Sequence, residues 1–456
     1  MFAGAIAMLA SAIVVAVALA HVANAYVPFD QTRLAPLVFV HYRLPLARPG
    51  FREIAWALAA WTGAFFAVLV ALRRLAPGAR PILAILLGQV VLLAIFLVSP
   101  LPLDSDQYAY VGYGAAVDAN ANPYRPAPLP HDASIARERV AAHWGNPQLR
   151  DPYGPLWTLA DGYVLWPFRA MSLDVQARVL RLCAALAAVG SSLLIAATVK
   201  DPRRRATSVA AFALNPLVVL ETANGAHNDI FMVACALGAA YLLRRDLLAA
   251  AGIVLGCAIA TKFAYAPLVV PFAAYAWTRS RKVIGVVVSL VALAIPIALS
   301  SARFGVTNSL TRPLVTYKGN VLEHLPLLDR VDPHLTSYAL LAAIVACALL
   351  GAVQILRGRI AAAGEPLMAL LLFTWLFADK IEPWYALLLA PLVLLGPTGV
   401  AVFAGLSAAS LVMLSGSFLN AFPTALTLIV AVLLAVGLRY AVAERSGASL
   451  TTTLRP

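Results

Sequence analysis

Long apolar runs leave this chain few possible folds. They recur at 2–20, 54–72, 82–99, 176–199, 206–222, 228–243, 247–261, 263–278, 283–301, 336–356, 365–379, 384–397, 399–415 and 420–438. A run of roughly 20 apolar residues matches the thickness of a bilayer core. Lipid obliges each run to satisfy its own backbone groups, so helices are the element expected. The fold expected is all-α: one integral membrane domain over 1–456, a polytopic helical bundle of about 12–14 spans. Hydrophobic residues make up 62% of the chain and charged residues only 12%, which excludes a soluble domain of this size.

The net charge of +13 does not point to nucleic acid, because Arg and Lys gather in the short connectors between runs. Basic connectors occur at Arg73-Arg74, Lys200 to Arg205, Arg244-Arg245, Arg279 to Lys282, Arg357 to Arg359, and from Arg439 onward. Positive charge marks the cytoplasmic side of a membrane protein. Alternation then puts residues 100–175, 223–227, 302–335 and 380–383 on the outer side. Loop 21–53, with Arg33, Arg43, Arg48 and Arg52, is the one exception. The first 20 residues carry no Lys or Arg, so 2–20 reads as an uncleaved first span rather than a signal peptide. Cys183, Cys235, Cys257 and Cys347 all lie in apolar runs, without the spacing of a disulfide or zinc framework. The stretch 155–170 is apolar and aromatic but contains Asp161, and is expected to lie along the membrane surface.

Residues 100–175 form an outer loop too long for a simple connector, and such loops are usually functional. It opens with Asp104-Ser105-Asp106-Gln107-Tyr108-Ala109-Tyr110. Ionisable groups at a membrane boundary are functional candidates by default. Asp106, or Asp104, could accept the proton of an attacking hydroxyl. The competing expectation is that either caps a short helix. Asn122-Pro123-Tyr124 and Asp151-Pro152-Tyr153-Gly154-Pro155-Leu156-Trp157 have the turn-forming and aromatic residues to shape a cavity, with Tyr153 the contact candidate.

Glu221, His227, Asn228 and Asp229 stand between two runs on the expected outer side. They could bind a sugar or a phosphate, or simply cap a helix. One His with one Asp falls short of a zinc site. Lys262 ends an apolar run and must meet an anion or snorkel. Arg312, in the 302–335 loop, could hold a phosphate. No Walker loop, HExxH, GxSxG or dinucleotide fingerprint competes.

The ordered set SDQYAY at 105–110, NPY at 122–124, YGPLW at 153–157, NPL at 215–217, HND at 227–229, the Lys262 run and PWY at 383–385 resembles the GT-C glycosyltransferases. Within these it looks most like the bacterial alpha-1,6-mannopyranosyltransferases. The chain departs from the family in having three apolar runs before the catalytic loop instead of one. It also has Asp-Ser-Asp where some branches have Asp-Glu.

The resemblance implies a catalytic Asp in the first large outer loop, here Asp106 with Asp104 as fallback. It implies inverting transfer of a hexose, mannose first, from a polyprenyl-phosphate donor to a glycan or glycolipid acceptor. The active site would face the outer (periplasmic) side of the inner membrane. On that mechanism Lys262, with Arg312 or His227, is expected to neutralise the departing phosphate. No cofactor is implied, although a divalent cation could assist. The rival expectation is a transporter or flippase, which predicts broken spans in matched halves. No such symmetry is seen in the sequence.

Overall fold

The computed structural model describes residues 2–26, 51–72, 79–98, 106–125, 151–305, 332–377 and 382–419. The chain is an all-α polytopic membrane protein. Three helices lead: α1 (Phe2–Tyr26), α2 (Phe51–Leu72) and α3 (Ala79–Leu97). The loop region follows, with α4 (Asp106–Asp118) and α5 (Pro155–Leu165). Next come α6 (Leu173–Thr198), α7 (Pro202–Ala213) and the single turn α8 (Pro216–Val219). A π turn over Leu220–Asn224 extends α8.

The second half holds α9 (Asp229–Leu243), α10 (Leu248–Thr261), α11 (Val269–Ser280), α12 (Val283–Ala302), α13 (Pro333–Leu356), α14 (Gly364–Leu376) and α15 (Pro397–Leu419). A 3₁₀ helix over Phe263–Leu268 joins α10 to α11, and another over Pro383–Leu395 joins the α14 region to α15.

Among the described residues, five helical stretches are long and apolar enough to cross a membrane: Ile54–Leu72, Arg80–Leu97, Leu173–Thr198, Val283–Ala302 and His334–Leu356. A sixth is the pair Arg204–Ala213 and Pro216–Asn224, bent by 47°. Pro216 causes the break: it has no N–H to give, and Asn215 caps the new turn by accepting from the Leu217 N–H at 3.0 Å. Other expected spans occur among the described residues as shorter apolar helices, including Asp229–Leu243, Leu248–Thr261 and Gly364–Leu376. Expected run 420–438 lies outside the described residues, as do Asp104 and Arg312.

One core joins α1–α3 to α6–α10, the 383–395 helix and α15. Trp61 stacks on Phe96 at 5.5 Å within it. Helices α10 and α12 pack without room for side chains: a Cβ on Gly252 or Gly256 would strike the Ser289 or Leu293 carbonyl. Small residues four apart allow this backbone approach, and in lipid such packing replaces the hydrophobic drive that is lacking there.

The loop region does not stand apart. Helix α4 packs on α5, and α5 in turn packs on α10 and α12. The α5 helix buries Trp157, Thr158, Asp161 and Leu165 and exposes Tyr163 and Trp166, giving the two-faced surface of an interfacial helix. Connectors expected on one side do meet: Asn122 Nδ2 donates to the Phe304 carbonyl at 2.9 Å, and Arg303 reaches Asn120 Oδ1 at 2.6 Å. On the basic side, Arg279 pairs with Asp246, tying two neighbouring connectors.

Gly256→Val should lower the melting temperature of the detergent-solubilised protein by several degrees, as about 1–3 kcal/mol of overpacking would. An unchanged melting curve would show that α10 and α12 do not touch there.

Candidate active site

Five segments converge: the N-terminus of α4, residues 151–154, the π turn with the 225–229 bend, the end of α10, and the start of the 383–395 helix. Asp106 is the first residue of α4, where the helix dipole favours a negative charge. Its Oδ2 accepts from the Tyr153 hydroxyl at 2.9 Å. The Asp106 side chain keeps 22% of its surface exposed, so a substrate can reach it.

Lys262 closes α10 in an extended conformation (φ −157) that turns it from the helix axis. Its Nζ donates to both Asp229 oxygens, at 2.8 and 3.0 Å, and lies 4.3 Å from the Tyr385 ring centre. An ammonium has three N–H donors, and Asp229 takes two of them. Asp229 is only 2% exposed, whereas Lys262 keeps 21%. The lysine therefore meets the anion expected of a cation in an apolar run, and part of its side chain stays exposed. The segment carrying Tyr153 is registered to it, because Gly154 N–H donates to the Thr261 carbonyl at 3.0 Å.

The 220–229 bend rests on unusual backbone. In the π turn the Gly225 N–H bonds the Leu220 carbonyl, and His227 N–H bonds the Glu221 carbonyl at 3.0 Å. Such one-turn π bulges occur often at functional sites. Ala226 is buried at φ 56, a left-handed conformation that an alanine rarely holds. This geometry folds His227 back over Glu221, with 3.1 Å between His227 Nε2 and Glu221 Oε2. His227 Nδ1 lies 3.9 Å from Asp106 Oδ2. The imidazole stacks on Trp384 at 4.1 Å and 11°.

Asn228 does not cap α9 through its side chain; the buried carboxamide has no hydrogen-bond partner among the described residues. Its N–H faces the Tyr110 hydroxyl at 3.4 Å. Glu221, His227, Asn228 and Asp229 are thus all buried, while Asp106, Tyr153 and Lys262 retain exposed surface.

Behind these groups lies a set of supporting contacts, in which Arg181 and Thr158 carry no signal in the motifs read from the sequence. Arg181 of α6 donates to Gln107 Oε1 at 2.8 Å, and Gln107 Nε2 reaches the Asn224 carbonyl at 3.5 Å. The residue beside Asp106 is thereby tied to the π turn. An Arg on the apolar α6 run was the available signal. Asp151 Oδ1 accepts from Tyr153 N–H at 2.8 Å, and Oδ2 accepts from Thr158 at 2.5 Å. The Tyr124 hydroxyl contacts Thr158 at 2.8 Å and the Tyr153 carbonyl at 3.0 Å. The NPY and DPYGPLW motifs are thus one scaffold behind Tyr153. Burial pushes the Asp151 carboxyl up to about 7, against its bonds from Thr158 and Tyr153. Burial, with Asp151 nearby, raises Asp161 as well. Among the described residues no group of three or more His, Cys, Asp or Glu is set to hold a metal.

Residues 2–279 match the N-terminal domain of the alpha-(1->6)-mannopyranosyltransferase family. The chain belongs to this family. It is a glycosyltransferase that moves mannosyl groups. The matched stretch includes Asp106, Tyr153, Glu221, His227, Asp229 and Lys262, whereas Trp384 and Tyr385 lie beyond it. No characterised relative and no solved structure matches.

Asp151 gives a pH prediction. Folding raises it from 3.8 to about 7, so the folded state holds a proton that the unfolded chain releases. Its contribution to stability is full below about pH 4 and is lost as pH rises through about 7. The protein should melt several degrees higher near pH 5 than near pH 8, and Asp151→Asn should shrink that difference. Asp161 adds to the dependence with the same sign. Gly225→Ala makes a second test. A Cβ there would come within 2.6 Å of His227 Cδ2, so displacement of the ring should cut transfer at least ten-fold in a radiolabel assay, with little change in melting.

Proposed function

We propose that the chain transfers mannose from a polyprenyl-phosphate donor to a glycan or glycolipid acceptor by one displacement with inversion, on the outer side of the membrane. The observation that carries this reading is Asp106: a partly exposed carboxylate at a helix N-terminus, hydrogen-bonded by Tyr153 and set in a wall that also holds Lys262.

The acceptor hydroxyl gives its proton to Asp106 as its oxygen attacks the anomeric carbon. The carbon–oxygen bond to phosphate breaks, and the electron pair leaves with the lipid phosphate. A single base is enough for this course, without the paired carboxylates of a covalent double displacement. An α product by one inversion requires a β-linked donor. The donor supplies the activated bond, so the transfer needs no cofactor of its own.

Lys262 meets the charge that develops on the phosphate. Asp229 and the Tyr385 ring hold its Nζ, which lowers the reorganisation needed at reaction. Arg312 is proposed to join it from the 302–335 loop. The buried groups of the 221–229 bend shape the donor pocket from behind. The exposed aromatic face of α5 suits the acyl–headgroup boundary, where a polyprenyl donor presents its sugar.

Asp106→Asn should reduce transfer from a polyprenyl-phosphate mannose by at least about 10², as loss of a general base does. The variant should remain folded and membrane-inserted. Activity in Asp106→Asn together with inactivity in Asp104→Asn would move the base two residues upstream. Lys262→Met should cost about 10²–10³ in kcat. A cysteine at position 106 should react with an impermeant thiol reagent in intact cells; labelling only after lysis would reverse the assigned face.

A further inference from the structure

We propose that Glu221 and His227 are positioning residues for Asp106: a buried carboxylate–imidazole pair that keeps a positive charge beside the proton acceptor. The inference rests on reading Asp106 as that acceptor.

Three constraints fix one ring. Trp384 covers a face of the His227 imidazole at 4.1 Å, Glu221 Oε2 stands 3.1 Å from Nε2, and Gly225 leaves no space for a side chain beside Cδ2. The ring has no exposed surface, so it does not serve as a direct contact for the sugar. The nitrogen left over, Nδ1, lies 3.9 Å from Asp106 Oδ2, an ion-pair distance rather than a hydrogen bond.

A neutral imidazole has one N–H. If Glu221 held it, Nδ1 would turn a lone pair toward a carboxylate. If Asp106 held it, Nε2 would do the same toward Glu221. Only the imidazolium presents an N–H to both carboxylates. The other titratable neighbours do not supply this charge: Lys262 is matched by Asp229, and Tyr153 donates to Asp106 as a neutral hydroxyl. Tyr110 of α4 is neutral as well, because burial raises its hydroxyl well above its ordinary value.

An imidazolium near the base favours its ionised, proton-accepting form. Removing the Glu221 charge withdraws the support for the imidazolium, so transfer should need a higher pH.

The test is the pH dependence of kcat for the detergent-solubilised full chain, with a polyprenyl-phosphate [14C]mannose and an α-(1→6)-linked mannose oligosaccharide. Glu221→Gln keeps the side-chain shape, and its acid limb should move to higher pH by on the order of one unit. His227→Phe, which keeps a flat ring on Trp384, should give the same displacement. A rate lowered equally at every pH, with the limb in place, overturns the proposal, because a structural defect would do that. So does an unchanged profile. Asp106→Asn run in parallel separates the two ideas. If it stays active, the reading of the base fails. If it is inactive while Glu221→Gln keeps the wild-type limb, only the role given to the pair fails.

Discussion

The ion pair between Lys262 and Asp229 is the interaction on which the site depends. It joins the end of α10 to the start of α9, two helices that pack along their length. A charge nearly sealed in apolar surroundings must be matched, and removing one partner from such a pair costs about 3–5 kcal/mol. The pair therefore restricts how the two helices can slide. It also places Nζ against Tyr385 and, through the Thr261 carbonyl, fixes the segment that carries Tyr153. From there one hydrogen bond reaches Asp106. Tyr153 thus connects the lysine end of the site to the carboxylate end.

The backbone at this end of the bundle departs from regular helix wherever a functional side chain is placed. The π turn lets the chain leave α8 with Glu221 and His227 facing each other, and Ala226 accepts a left-handed conformation to complete the bend. Lys262 leaves α10 in an extended conformation. Trp384 and Tyr385 begin a 3₁₀ helix of 13 residues, far longer than such helices usually run. Proline at positions 216, 383 and 391 accounts for part of this, since it forbids the regular α-helical bond. A membrane protein tolerates irregular backbone only where it is covered by protein or lines a cavity. Here the packing of α3, α6 and α9 covers it.

Much of the site was legible because membrane interiors penalise polar residues. In a chain with so few charges, Asp106, Glu221, His227, Asp229 and Lys262 stand out without any alignment, and the structure brings all five together. Their pairings were not legible. Lys262 reads as a free cation for phosphate until Asp229 appears beside it, 33 residues away in sequence. His227 reads as a ligand for sugar or phosphate until Trp384 covers it. Arg181 was passed over because it works through Gln107, 74 residues away in sequence, at a separation no local pattern records. Hydropathy marks an apolar run but not where proline divides it, as Pro216 does between Arg204–Ala213 and Pro216–Asn224.

By itself the sequence determined an α-helical membrane protein, a long polar loop after the third helix, and a small set of costly ionisable residues at run ends. Those follow from local rules: twenty apolar residues in lipid must be helical, and charge there must serve a purpose. Tertiary structure alone decided which charge met which, and which side chains kept a surface open to a substrate. Both depend on contacts between segments far apart in the chain, and burial fixes those contacts by the whole bundle's packing rather than by any stretch of residues within it.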